Sequence, residues 1–406
     1  MSAPTVEADR RGFRAPGTGF MVTGALVGAV GAYVFQVYGV RAIGPVAFAP
    51  ISVLWTAFFI LATVMLIPVE QYVTREVASG RKSIPRDFAP ASIMAGVGAL
   101  VGGGFVWFTL DNLFEGNPQY IAQIVLLMFG YALLFFGKGV LAGTRHFATV
   151  GWTMIVESVA RLVAGVAAIW IVASATSLGW AMVIGGFATL GLVWWRRDNG
   201  QSQTPASPAA GFLGGYVAGT ASSQILLGAA PIAVAALNGS PATVTIVFVT
   251  FTLFRAPLTL IFALQGRILP YLVGLSRDEN HERLMSITKY VVFGGAAFAL
   301  VGGVVGWLVG SDVVALLFGQ ESAPTQAVAT FAAAGVMAAA AAQIASQVLV
   351  ADGRTRRLSL AWFGGLVAAL AALIILGGVP EARVAISFAI GEFVALGLMG
   401  LLAIRR

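Results

Sequence analysis

The chain contains no cysteine, which excludes disulfides and thiolate metal sites but leaves the compartment open. Charge is nearly as scarce. Only 10% of its 406 residues are Asp, Glu, Lys or Arg, against about a quarter in a soluble chain, too few to cover such a chain in water. The two histidines, His146 and His281, lack metal-ligand spacing, and there is no HExxH, GxSxG, phosphate-binding glycine loop or carboxylate-rich loop. An enzyme therefore has no catalytic constellation to stand on, and no cofactor, metal or nucleic-acid partner is expected. What is present is apolar: 58% of the residues are hydrophobic, in blocks of twenty and more. A bilayer-spanning helix needs about 20 predominantly apolar residues, so the sequence reads as an all-α polytopic membrane protein.

Apolar runs bounded by charges or turn residues predict twelve spans, near 18–39, 46–69, 89–110, 120–141, 149–172, 175–195, 211–237, 242–268, 287–310, 326–349, 359–378 and 382–403. Barrel strands would be alternating segments of ~10 residues; these runs are longer and do not alternate. A helix satisfies its own backbone groups in hydrocarbon. The first run is too long for a signal-peptide core of about 7–15 residues.

Basic residues set the orientation. Arg10, Arg11, Arg14, Arg75, Arg81, Lys82, Arg86, Lys138, Arg145, Arg196, Arg197, Arg277, Arg283, Lys289, Arg354, Arg356, Arg357, Arg405 and Arg406 fall on the tails and alternate connections. The opposite connections hold only Arg41 and Arg383, beside Asp111, Glu115, Asp312, Glu321 and Glu381. Both termini are therefore expected in the cytoplasm, with the protein in the cell membrane.

A polar linker at 196–209 separates two six-helix lobes, 18–195 and 210–406, after a cytoplasmic tail at 1–17. The lobes echo each other: Ala99-Leu100-Val101-Gly102-Gly103 matches Ala299-Leu300-Val301-Gly302-Gly303, and Gly143-Thr144-Arg145 with Trp152 parallels Gly353-Arg354-Thr355 with Trp362. An even span count gives both lobes one orientation, the pattern of parallel repeats in transporters.

Six ionisable residues fall within spans: Glu70, Glu157, Arg161, Arg255, Arg267 and Glu392. A charge at the bilayer centre costs roughly 2.5–3.5 kcal/mol even on insertion scales, so each marks a candidate site. Arg255 is mid-span, with Pro257 predicting a kink; it either faces a cavity and binds an anion or forms a structural ion pair. Arg267 is near the cytoplasmic end, where snorkelling is easy. Glu157 and Arg161 are an i, i+4 pair, either self-neutralised or part of transport. Glu392 is a carboxylate for proton or sodium coupling, or the partner of Arg255. Glu70, after Pro68, reads as interfacial. Gln36, Gln224, Gln343 and Gln347 line a cavity or bond neighbouring helices, and Gly24 with Gly28 marks close helix packing.

Gly44-Pro45-Val46-Ala47-Phe48, with Glu70-Gln71-Tyr72-Val73-Thr74-Arg75-Glu76-Val77-Ala78, resembles polysaccharide flippases of the multidrug/oligosaccharidyl-lipid/polysaccharide (MOP) exporter superfamily. So does Leu141-Ala142-Gly143-Thr144-Arg145-His146-Phe147 followed by Glu157-Ser158-Val159-Ala160-Arg161-Leu162. The resemblance covers the first half well and the second half through topology. It implies two lobes enclosing a central cavity that opens alternately to either side. It also implies a polyprenyl-diphosphate oligosaccharide as substrate, with the family's loop arginine at Arg75 and its helix-five pair at Glu157 and Arg161. Twelve helices depart from the fourteen of many lipid-linked-sugar flippases and fit the polysaccharide and drug-extrusion branches. A diphosphate suits an arginine, whose paired donors match phosphate. The expected substrate site is thus Arg255, Arg161, Arg267, Gln36 and Gln224, with Glu157 and Glu392 coupling to H+ or Na+, in a protein working as a monomer among membrane lipids. The alternative is a proton- or sodium-coupled multidrug antiporter of the same superfamily.

Overall fold

A computed structural model describes residues 17–78, 84–190, 220–258, 272, 275, 281–351 and 354–404. These residues are almost entirely helical. Among the described residues nine helices are long and apolar enough to cross a membrane, and Ala175–Phe187 is a shorter apolar helix. The expected linker at 196–209 and the residue Arg267 lie outside the described residues, as do parts of the spans expected at 175–195, 211–237 and 242–268.

The chain divides into two compact units, Met1–Ala42 with Leu61–Tyr216, and Ile43–Ile60 with Val217–Arg406. The segment 43–60, expected in the first lobe, belongs to the second unit.

Helix α1 (Thr18–Leu61) starts in the first unit, carries the segment 43–60 of the second, and is broken at Gly44, which has φ 80° and ψ 162°. The break follows from sequence: Pro45 bars its predecessor from helical geometry, and glycine takes a positive φ without a Cβ penalty. The expected spans 18–39 and 46–69 are accordingly the two legs of one interrupted helical run. A π-helical turn, Ala62–Leu66, carries the second leg into α2 (Ile67–Ala78). α3 (Ile84–Phe108), the short α4 (Leu110–Leu113), α5 (Gln119–Gly143), α6 (Phe147–Ile171) and α7 (Ala175–Phe187) follow. α5 is central, packing on α2, α3 and α7. Polar bonds join its N-terminal end to α7: Asn117 Nδ2 donates to Thr176 Oγ1 (3.0 Å), Gln123 Nε2 to the Thr176 carbonyl (2.9 Å), and Trp180 Nε1 to Gln119 Oε1 (2.9 Å). The expected close packing at Gly24 is present: a Cβ there would lie 2.4 Å from the Gly151 carbonyl on α6. Gly28 has ordinary room, with Met154 atoms at 3.8 Å, and the next tight contact on α1 is Gly31 against Ser158.

The second unit contains α8 (Ala230–Ala236), α9 (Pro241–Phe254), α10 (His281–Val305), a π turn (Gly306–Gly310), α11 (Ser311–Phe318), α12 (Gln326–Ala351), α13 (Thr355–Ile375) and α14 (Pro380–Ile404). Ser240 caps α9, accepting from the Thr243 N–H at 3.2 Å with Pro241 at the first helical position, the preferred chemistry of a helix start. α12 is the axle, against which α9, α10 and α14 pack. Its run Ala338-Ala339-Ala340-Ala341-Ala342 is buried throughout, because alanines let neighbouring backbones close in where lipid gives no hydrophobic drive to association.

Large apolar side chains face outward on both units, including Phe108 (86% exposed), Trp170 (83%) and Ile375 (80%). In water such faces would be aggregation surfaces; in a bilayer they are matched to their solvent.

Candidate functional site

In the first unit, α6 presents Glu157 and Arg161 one turn apart, both buried. They form the expected ion pair through Arg161 Nη1 and Glu157 Oε1. A third group from α5 completes it: Tyr131 Oη donates to Glu157 Oε1 at 2.5 Å and accepts from Arg161 Nη1 at 3.2 Å. The Arg161 guanidinium also lies 5.9 Å from the centroid of Phe35 on α1. Gly185 of α7 meets the Arg161 side chain, where an added Cβ would stand 2.9 Å from Arg161 Cβ. Two opposite charges and a phenol thus satisfy one another inside the bundle, the arrangement that makes a buried pair tolerable. Sequence reasoning missed Tyr131. Its signal was faint: it is one phenol in an apolar helix, thirty residues from its arginine.

Gln36, on α1, is 2% exposed, and its Oε1 has no hydrogen-bond partner among the described residues. Ser158 Oγ, one residue beyond Glu157, is in the same condition. At the basic-rich end, Glu70 bonds Lys138 Nζ at 3.1 Å, and the ammonium sits 4.7 Å from the Phe135 ring centroid. Lys138 therefore belongs to α5 and neutralises Glu70 rather than lying in a connection. Arg75 is exposed at the end of α2.

In the second unit, α9 ends at Phe254 and the chain turns at Arg255, whose N–H bonds the carbonyls of Phe251 (3.1 Å) and Thr252 (3.2 Å). The interruption expected from Pro257 is there, because proline has no N–H for the next helical bond. The Arg255 guanidinium lies 5.6 Å from the Phe251 ring centroid. Phe251 stacks edge-on against Phe388 of α14 at 4.9 Å between centroids. One turn along α14 from Phe388 is Glu392, completely buried, and the charge acting on it is Arg255. Neither oxygen of Glu392 has a hydrogen bond among the described residues. Phe251 and Arg255 on one helix, and Phe388 and Glu392 on the other, are i, i+4 neighbours, so the aromatic contact between α9 and α14 lies one turn from each of the two charges. The sequence named Arg255 and Glu392 as possible partners; in the structure Arg255 is the charge whose field acts on Glu392, and the aromatic contact beside them was not read from the sequence.

Gln224 is nearly buried in the helical segment 220–228. Gln343 and Gln347 share one face of α12, where Gln347 Nε2 donates to Ser346 Oγ at 3.2 Å and Ser346 Oγ to the Gln343 carbonyl at 2.6 Å. Among the described residues no cluster of His, Asp or Glu has the arrangement of a metal site.

No protein-family model matches the chain. An uncharacterised protein of Mycobacterium tuberculosis (strain ATCC 25618 / H37Rv) is 28% identical over 403 residues, covering 93% of this chain and 89% of the relative. A second from that strain is 27% identical over 313 residues, covering 72% of this chain and 65% of the relative. Solved structures align over nearly the whole chain. The inward-facing conformation of a multidrug resistance MATE family transporter of the MOP superfamily gives a TM-score of 0.68 at 13% identity, covering 93% of both chains. Its outward-facing counterpart gives 0.62 at 15% identity over 96% of each. A MOP superfamily transporter from Pyrococcus furiosus, for which reverse polarity of the binding pocket suggests a different function, gives 0.60 at 15% identity, covering 95% of this chain and 93% of that one. The fold of this chain is therefore that of the MATE transporters of the MOP superfamily.

Proposed function

We propose that the protein is a transporter that moves an anionic, polyprenyl-diphosphate-linked oligosaccharide across the cell membrane by alternating access, for the assembly of a polysaccharide. The observation that carries this reading is Arg255. It sits at an interruption of a membrane helix, beside an aromatic layer, with its compensating carboxylate Glu392 on a neighbouring helix. Guanidinium matches phosphate oxygens through paired donors, and an arginine is costly at this depth unless it has such work. The MATE fold supports the transport mode. That a MOP transporter of this fold has a pocket of reversed polarity supports a cargo unlike cationic drugs.

In this reading Arg255 contacts the diphosphate, Gln224 adds a neutral polar contact, and Glu392 is the ion-coupling carboxylate. Arg161 and Glu157 pair with each other and with Tyr131, which favours a structural role for that pair. The rival cargo is a cationic drug exchanged for H+ or Na+. The buried carboxylate Glu392 is the feature that favours it.

Substitution of Arg255 separates the readings. In a reconstituted assay with a fluorescent polyprenyl-diphosphate glycan, Arg255→Gln should lower the flipping rate at least tenfold, a transition-state loss of about 1.4 kcal/mol, with normal protein yield. An unchanged rate would refute the anion role. Loss of dye efflux in Glu392→Gln, with no effect on lipid flipping, would favour the antiporter.

A further inference from the structure

The second unit contains a groove of about 640 Å³ among α10, α12 and α14, lined by Leu300, Val304, Trp307, Phe331, Ala334 and Ile390, with neighbouring residues. Its wall is almost wholly apolar; Thr330, the hydroxyl among its lining residues, spends its proton on the Gln326 carbonyl at 2.7 Å. Leu300, Val304 and Trp307 are 66%, 56% and 52% exposed, so the groove opens outward from the unit. It lies toward the ends of α12 and α14 that meet the connections carrying Asp312, Glu321 and Glu381. The charge bias of the sequence places those connections on the outer face.

In the first turn of α14, next along the helix to the groove-lining stretch, is one of only two basic residues that break that bias, Arg383. It shares a face of α14 with Ile386 and Ile390 at i, i+3 and i+7, both of which line the groove. Arg383 Nε donates to the Leu373 carbonyl at 2.6 Å, near the C-terminal end of α13 where carbonyls lack helical partners. That bond ties the guanidinium to α13, one turn along α14 from the groove-lining Ile386, and uses one donor nitrogen. Neither Nη has a hydrogen bond among the described residues. A fixed cation at headgroup depth above an apolar channel is complementary to one kind of molecule, an acyl chain ending in a phosphate.

We propose that this groove is a binding site for an anionic phospholipid of the outer leaflet, one acyl chain lying between α10, α12 and α14 and the phosphate on the Nη groups of Arg383. The lipid comes from the bulk bilayer, because the groove faces outward and bulk phospholipid is the phosphate-bearing chain that surrounds it. The site is independent of the cargo reading, and its test requires no transport.

The test is photo-crosslinking of the full-length protein in nanodiscs doped with phosphatidylglycerol or phosphatidylcholine carrying a diazirine on the acyl chain. The label should concentrate on peptides containing Trp307, Phe331 and Ile390, with phosphatidylglycerol favoured about fivefold, the bias expected of one basic residue at a membrane surface. Arg383→Gln should remove that preference and leave chain labelling in place. Ile390→Trp and, separately, Val304→Trp should fill the groove and abolish the focused label; both start from exposed side chains, so folding is retained. Label spread evenly over Phe108, Trp170 and the groove would overturn the proposal, as would full labelling in both filled variants. Displacement by a trace of polyprenyl diphosphate at hundredfold lower abundance would overturn the assignment to bulk phospholipid.

Discussion

At the scale of single residues, the membrane charges sort by how completely they are satisfied. Glu157 has an arginine and a phenol; Glu392 has an arginine and no hydrogen bond among the described residues. The first arrangement is predicted to support the fold. Removing one partner of a buried pair costs about 3–5 kcal/mol, whereas replacing both with apolar groups is often neutral. Arg161→Met should therefore lower thermal stability in detergent sharply, and Glu157→Gln combined with Arg161→Met should recover much of it; Tyr131→Phe should cost about 1 kcal/mol. Equal stability of Arg161→Met and the parent would remove the structural role. The second arrangement is predicted to matter to transport, so Arg255→Gln should lose activity with little loss of protein. Glu70 and Lys138 are partly accessible at the basic-rich end, and exchanging their positions should change stability by no more than about 1 kcal/mol.

At the scale of elements, apolar run length and proline placed most helices, because a membrane segment declares itself by twenty apolar residues regardless of its neighbours. The break at Gly44-Pro45 and the interruption at Arg255 before Pro257 were legible for the same local reason. What was not legible depends on pairing across the chain. Tyr131 with Glu157, and Lys138 with Glu70, are separated by 26 and 68 residues, and nothing local to either marks the partner. The same holds for the π turns at Ala62–Leu66 and Gly306–Gly310 and for membership of 43–60 in the second unit. Small-residue packing was read correctly in kind and misplaced in part: Gly24 is tight, Gly28 is loose, and Gly31 takes the second contact. Gly24→Leu should destabilise strongly, since its side chain would enter the Gly151 backbone, while Gly28→Ala should be tolerated. Thermal unfolding of the two variants checks the contrast.

At the scale of the whole molecule, charge bias predicts which connections face the cytoplasm, and the absence of cysteine makes that directly testable. Single cysteines at Arg356 and at Gln320 in an otherwise unchanged chain should label from opposite sides with an impermeant maleimide, Arg356→Cys from the cytoplasm and Gln320→Cys from outside. Labelling of both from one side would overturn the topology. The MATE fold accounts for helices that expose broad apolar faces, while the proposed cargo rests on the chemistry around Arg255. The proposed cargo is a lipid-linked glycan. Its most direct test is depletion of the protein in its host, followed by extraction of membranes and quantification of cytoplasm-facing polyprenyl-diphosphate glycans. Accumulation of these lipids with loss of a surface polysaccharide is the predicted result; no accumulation, together with increased sensitivity to cationic dyes, would contradict it.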